Sequence, residues 1–208
     1  MSCWVVDTVV LRYFLLVDKF DLLLQLLEGR VFVPRVVFDP DELDTEPESS
    51  LSELSRSIRI QASWAVDPTR DPSARQMAKT YSERLGRIQK YVEAGRIEII
   101  DLSDEERELF AELVDGRSDR VVLRFPLGPG EAACVAVAVH RGCVFVSDDN
   151  DGLRALEELK AGYSYERVRR LLIRAGENGL INEAEANEIH ASMVEAGFRD
   201  VEVPFPTE

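Results

Sequence analysis

Apolar positions along this chain follow two rhythms. Short runs of strand formers occur at Cys3 to Val6, Arg30 to Val33, Arg96 to Ile100 and Cys143 to Val146. Longer stretches between them carry helical spacing. Asp18 to Glu28 is amphipathic, with Gly29 as its C-cap. Val9 to Val17 is ambiguous because strand formers dominate it, and it is assigned to a short helix. Leu51 to Ala65 places Leu51, Leu54, Ile58 and Ala62 on one face, and Ser73 to Ala94 reads as one charged helix ended by Gly95. Ser103 and Glu106 form a capping box for a helix that stops near Gly116. Arg117 to Gly130 is a loop with a short apolar segment at Val121 to Phe125. Ala132 to His140 is a helix of small residues that Gly142 stops. Leu153 to Ala161, Ser164 to Ala175 and Glu183 to Ala196, the last capped by Asn182, are further helices. The tail VEVPFPTE is extended and suits an edge strand. Strands alternating with helices predict an α/β fold, a small parallel sheet with crossover helices.

Composition narrows the class. The 208 residues fit one domain with an appendage, residues 1–160 as the core and 161–208 as a C-terminal helical extension packed on it. The net charge of −14 argues against a broad basic nucleic-acid surface, so any such contact must be local and metal-assisted. Cys3, Cys134 and Cys143 are an odd count without a CxxC pair. They predict neither a disulfide framework nor a zinc site, but three buried thiols in a reducing compartment. The apolar run after Met1 is broken by Asp7 and Arg12, and no apolar run reaches membrane-spanning length. The expectation is a cytoplasmic protein without a membrane partner.

The candidate chemistry lies in carboxylates at strand ends. Asp7 follows the first strand directly, at the tip where open α/β sheets bind ligands. Glu131 opens the small-residue helix, and Ser147, Asp148, Asp149, Asn150 and Asp151 follow the Cys143 to Val146 strand. Crowded carboxylates raise one another's pKa unless a cation is present, and an all-oxygen donor set favours Mg²⁺ or Mn²⁺ over zinc. The same acids also suit helix N-caps, and both roles can hold at once. Asp39, Asp41, Glu42 and Asp44 form a second acidic group, with Asp39 as N-cap and Pro40 at the first helical position. Ser147 suits a hydrogen bond to a phosphate or a ligand carboxylate, and equally a plain cap on the strand. Neither His140 nor His190 has metal-ligand spacing. Arg167, Arg169, Arg170 and Arg174 fall on a predicted helix, either as a solvated face or as a local offset to the negative charge.

These residues resemble the PIN-domain ribonucleases, in the stand-alone prokaryotic branch related to VapC-type toxins. The resemblance is carried by VVDT at Asp7, VPRVVFD at Asp39, GEAACVAVAVHRG from Gly130 and FVSDDND. It implies a three-layer α/β/α PIN-like fold with a helical insertion at about 45–94 and C-terminal helices. It further implies an RNA substrate cleaved with Mg²⁺ or Mn²⁺, an antitoxin protein as partner, and a homodimer. Carried over by motif, Asp7, Glu131 and Asp149 with Asp148 beside it are metal-holding acids. Asp39 matches the second acid and Glu42 is the other candidate, while Ser147 and Asp151 stand next to the site. The family has a glutamate without an adjacent proline at the second position, so Asp39-Pro40 departs from its pattern.

Overall fold

The computed structural model describes residues 2–42, 51–117, 120, 121, 123, 125–159, 162–200 and 202–206. Five parallel strands form one sheet: β1 (Cys3–Val6), β2 (Arg30–Pro34), β3 (Glu98–Ile100), β4 (Val144–Val146) and β5 (Tyr165–Glu166). Their order is β3-β2-β1-β4-β5. Val5 lies beside Phe32 on β2 and Phe145 on β4. The central strands are covered on both faces, which is why they read as unbroken apolar runs rather than alternating ones. Val5, Val6, Phe145 and Val146 have no exposed surface.

Helices α1 (Thr8–Leu16) and α2 (Phe20–Leu26) link β1 to β2, and α3 (Glu53–Val66), α4 (Pro72–Gly86) and α5 (Ile88–Glu93) link β2 to β3. The chain returns to the other side of β1 through α6 (Asp104–Asp115) and α7 (Pro129–Arg141), then passes through α8 (Asn150–Leu159) to β5. Helices α9 (Val168–Glu177) and α10 (Glu183–Glu195) follow. Helix α7 packs on β1, β2 and β4, flanked by α6 and α8. Its buried run from Gly130 to Ala138 is mostly small, which lets the helix axis approach the sheet. Helix α1 packs with α2, α4 and α10, and α9 with α2. The result is a three-layer α/β/α fold. Strand order reverses direction at β1, so β1 and β4 flank the switch point at their carboxyl ends.

Five expectations change. The predicted helix from Ser73 to Ala94 is two helices, parted at Gly86-Arg87, where glycine weakens the helix and Arg87 reaches Asp18. The predicted helix from Ser164 begins instead as β5: Phe145 and Ser147 donate backbone bonds to Ser164 and Glu166. A two-residue strand is too short to show a period in sequence. The segment after residue 160 therefore contributes a strand as well as helices. The tail adds no strand among the described residues; Phe205 is held by the Asn187 side chain, with bonds of 2.5 and 2.9 Å. Cys3 and Cys143 form a disulfide, because parallel pairing of β1 and β4 sets their Cα atoms 4.7 Å apart. Only Cys134 matches the expected buried thiol. Residues 43–50, with Asp44, lie outside the described residues, as do parts of the 121–125 segment.

The 45–94 insertion, where described, is a hairpin of α3 and α4 closed onto α1. Asp71 caps α4 through Ala74 N–H, with Pro72 in the first turn. Among the described residues no helix is long and apolar enough to cross a membrane.

Candidate functional site

β1 delivers Asp7 and β4 delivers Ser147 side by side, because the ladder continues one step with Asp7 N–H donating to Val146 O at 3.1 Å. Asp7 is the N-cap of α1, its Oδ1 accepting from Thr8 N–H at 2.6 Å. Its Oδ2 accepts from the Ser147 hydroxyl at 2.8 Å, and Ser147 Oγ accepts from Asp149 N–H at 3.1 Å. Asp149 in turn accepts from Asp151 N–H at 3.0 Å, closing the turn into α8. Asp151 is exposed and contributes its backbone.

Helix α7 starts with Gly128 as N-cap and Pro129 in its first turn. Glu131 does not fold back onto that cap. Its Oε1 accepts from Gly152 N–H, at the start of α8, at 2.6 Å. A Cβ on Gly152 would stand 2.4 Å from the same oxygen, so the carboxylate reaches that backbone only because residue 152 is glycine. A second cradle repeats the device. Glu53, the first residue of α3, accepts from Gly130 N–H at 2.9 Å and from the Thr8 hydroxyl at 2.5 Å. A Cβ on Gly130 would lie 2.3 Å from its Oε2. Asp7, Glu53, Glu131 and Asp149 are thus joined through Thr8, Ser147, Gly130 and Gly152. Each sits at the start of a helix, where the positive end of the helix dipole favours negative charge.

Burial and repulsion dominate the electrostatics. The Asp7 carboxyl is raised to about 7, first by burial and then by the charges of Glu53 and Asp149, against the Ser147 and Thr8 donors that lower it. Glu131 is raised to about 8 by burial and by Asp149 and Asp7, against the Gly152 N–H. Burial pushes the Cys134 thiol up too, with Asp7, Glu53 and Glu131 adding to it. No arginine or lysine stands among the groups that dominate the shifts of Asp7 and Glu131.

The other expected acids are elsewhere. Asp39 is buried but turns onto Arg35 at 2.7 Å, and its Oδ1 also accepts from Asp41 N–H. Glu42 accepts from Ser52 N–H at 2.6 Å, while Ser52 Oγ accepts from Asp39 N–H. Both therefore brace the residue before Glu53. Glu53 is the acid joined to Asp7 through Thr8, while Glu42 by its carboxylate and Asp39 by its backbone N–H hold Ser52 beside it. Asp148 also turns away: its Oδ2 accepts from Val168 N–H at 2.9 Å, at the head of α9. Burial raises its carboxyl to about 6, and Asp7 and Glu131 are not among the main causes. Glu53 and Thr8 escaped the sequence reading, although Glu53 stands in the first turn of a helix just as Glu131 does.

The donors are all oxygen; Asp7 and Glu131 are buried, Glu53 is half-buried and Asp149 is exposed, and glycines cradle Glu53 and Glu131, a donor set that suits a hard divalent cation. They are neighbours rather than a closed cage: among the described residues no three His, Cys, Asp or Glu side chains are grouped as a metal cage requires. Comparison with family models, curated proteins and solved structures finds no match to this chain.

Proposed function

We propose that this protein is a Mg²⁺- or Mn²⁺-dependent endoribonuclease of the PIN type, with Asp7, Glu131 and Asp149 as metal-holding acids and Glu53 as the fourth. One observation carries the reading. Four acids from four separate elements come together at the β1–β4 switch point, and among the described residues none of them forms an ion pair with a lysine or arginine. Acids that only capped helices would not need to converge. The metal, when bound, would lower the pKa of a water and offset charge on the phosphate. The chain's own residues do the rest. Thr8 and Ser147 fix the Asp7 carboxylate from both sides, and Gly130 and Gly152 bring Glu53 and Glu131 against the backbone. Burial excludes bulk water, which strengthens each charge interaction.

The proposal extends to a cytoplasmic toxin with an antitoxin partner and a homodimeric state. A second reading, a PIN-like binding module without catalysis, is favoured by the donors that Asp7, Glu53 and Glu131 already hold within the protein. Mn²⁺ calorimetry beside cleavage of a mixed RNA pool separates the two. Binding and cleavage in the wild type, both lost in Asp7→Asn with Glu131→Gln, support the nuclease. No binding at millimolar Mn²⁺ leaves the binding module.

A further inference from the structure

A protein of net charge −14 that acts on RNA must attract a polyanion locally. Exposed charges farther away than about 8 Å are largely screened at physiological salt, so the groups lining the approach decide. Beside the acids, under the carboxyl ends of β4 and β5, lies a cleft of about 870 Å³. Its walls carry Arg167, Arg169, Arg170 and Arg199, and Asp148 and Asp149 line its other end. Arg174, grouped with these arginines in the sequence, turns instead to Glu166, the Leu26 carbonyl and the Trp4 ring.

The cleft and the acid loop are one hydrogen-bonded unit. Arg167 donates to Asn150 Oδ1 at 2.7 Å, one residue after Asp149. Asp148 accepts from Val168 N–H, so the same loop holds the head of the helix that bears Arg169 and Arg170. The acids on the walls are engaged within the protein. Glu202 pairs with Arg169 at 2.6 Å, and Asp200 accepts from Glu202 N–H at 3.1 Å. Arg169 thereby braces the wall. Among the described residues Arg170 pairs with Glu177, at 3.7 Å and with both side chains more than half exposed. Such a pair contributes little and exchanges readily for a better anion. Arginine matches phosphate oxygens in a fork, which suits this wall to a phosphodiester.

We infer that this cleft is a second phosphate subsite, in which Arg167, Arg170 and Arg199 hold a backbone phosphate next to the one at the acid centre. The inference rests on the nuclease reading for the identity of the polyanion. It makes these three arginines positioning residues for the substrate strand and Asp148 the link between subsite and acid loop.

The test is fluorescence anisotropy of a labelled oligouridylate across a salt series in EDTA, for wild type, Arg167→Ala with Arg170→Ala, the same pair changed to lysine, and Arg30→Ala. Arg30 serves as the control because it stands at the amino end of β2, on the other side of β1 from the cleft and at the opposite end of the strands. Binding to single strands loses about 0.7 of log–log salt slope for each phosphate contact removed. The double alanine variant, which removes the clamp on that one phosphate, should therefore have a slope shallower by about 0.7 and bind roughly fivefold more weakly at 0.1 M salt. The lysine pair should retain most of the slope, and Arg30→Ala should match wild type. In Mn²⁺, the double alanine variant should raise KM and leave kcat near wild type. An unchanged slope, or an equal loss in Arg30→Ala, overturns the subsite while leaving the acid centre untouched. The expected slopes in a wild type that never cleaves RNA overturn the nuclease reading while the subsite stands. No binding by wild type overturns the subsite, and Mn²⁺ calorimetry then decides the acid centre separately.

Discussion

Two acidic groups in this protein differ in how they lie along the chain and in what surrounds them. Asp39, Asp41 and Glu42 crowd into four positions, yet Arg35 reaches Asp39 at 2.7 Å and Asp41 at 3.4 Å, and Glu42 is spent on the Ser52 backbone. Asp7, Glu53, Glu131 and Asp149 are scattered across the chain and meet in space with one another. The first group is neutralised by its own loop. The second has burial and mutual repulsion, which is why Asp7 and Glu131 hold protons to about pH 7 and 8. Density of acids along the chain therefore did not mark the candidate site. Convergence of acids without a cation did.

The comparison breaks most sharply on single carboxyl-to-amide changes. Asp7→Asn and Glu131→Gln should each lower RNA cleavage by roughly a hundredfold or more, since loss of a metal ligand exceeds the 10–100-fold typical of outer-shell partners. In a cleavage assay with Mn²⁺, Glu53→Gln should fall with them, while Asp39→Asn should stay within about tenfold of wild type, as a bracing residue does. The reverse order of Glu53 and Asp39 would restore Asp39 as the second acid.

Next come the glycine cradles. Gly152→Ala sets a methyl 2.4 Å from Glu131 Oε1 and must displace the carboxylate. Overpacking of this kind costs about 1–3 kcal/mol, and displacement of a positioned group by about 1 Å lowers rate by roughly a hundredfold. Chemical denaturation and the cleavage assay read the two effects separately. Gly142→Ala has open space around its Cβ but a φ of +67°, so it should cost about 1 kcal/mol in stability with cleavage unaffected.

The pH dependence has a definite sign. Asp7 and Glu131 keep protons in the native state that the unfolded chain releases near pH 4. Native protein binds more protons between about pH 4 and 8, so this centre lowers stability as pH rises through that window. Melting temperature in EDTA should therefore fall from pH 5 to pH 8 by more in wild type than in Asp7→Asn with Glu131→Gln. Mn²⁺ should raise it most at pH 8. A wild type and double variant that shift in parallel would remove the repulsion from the account. The last change, Arg35→Ala, tests stability alone. It leaves buried Asp39 without its cation, but Arg35 is over a third exposed, so the expected loss is about 1–2 kcal/mol.

Several parts of this were legible in the chain itself. The capping box at Ser103 and Glu106 and the Asn182 cap are local hydrogen-bond patterns, and both helices start there. Asp7 and Glu131 could be singled out because a strand end and a Pro-Gly-Glu helix start are local signals. Glu53 could not, because its partners Thr8 and Gly130 lie 45 and 77 residues away in sequence. The same distance in sequence hid the pairing of Cys3 with Cys143, 140 residues apart, which only the β1–β4 register brings together.

By itself, then, the sequence determined the alternation of strand and helix, the α/β class, the main helix caps and three of the four clustered acids. These depend on period and on neighbours within one turn, which the chain carries locally. Only the tertiary structure decided the strand order, the two-residue β5, the disulfide, and which acids face one another and which face arginine. Those are long-range pairings, set by the closure of the sheet and the packing of α7 upon it, and no local pattern encodes them.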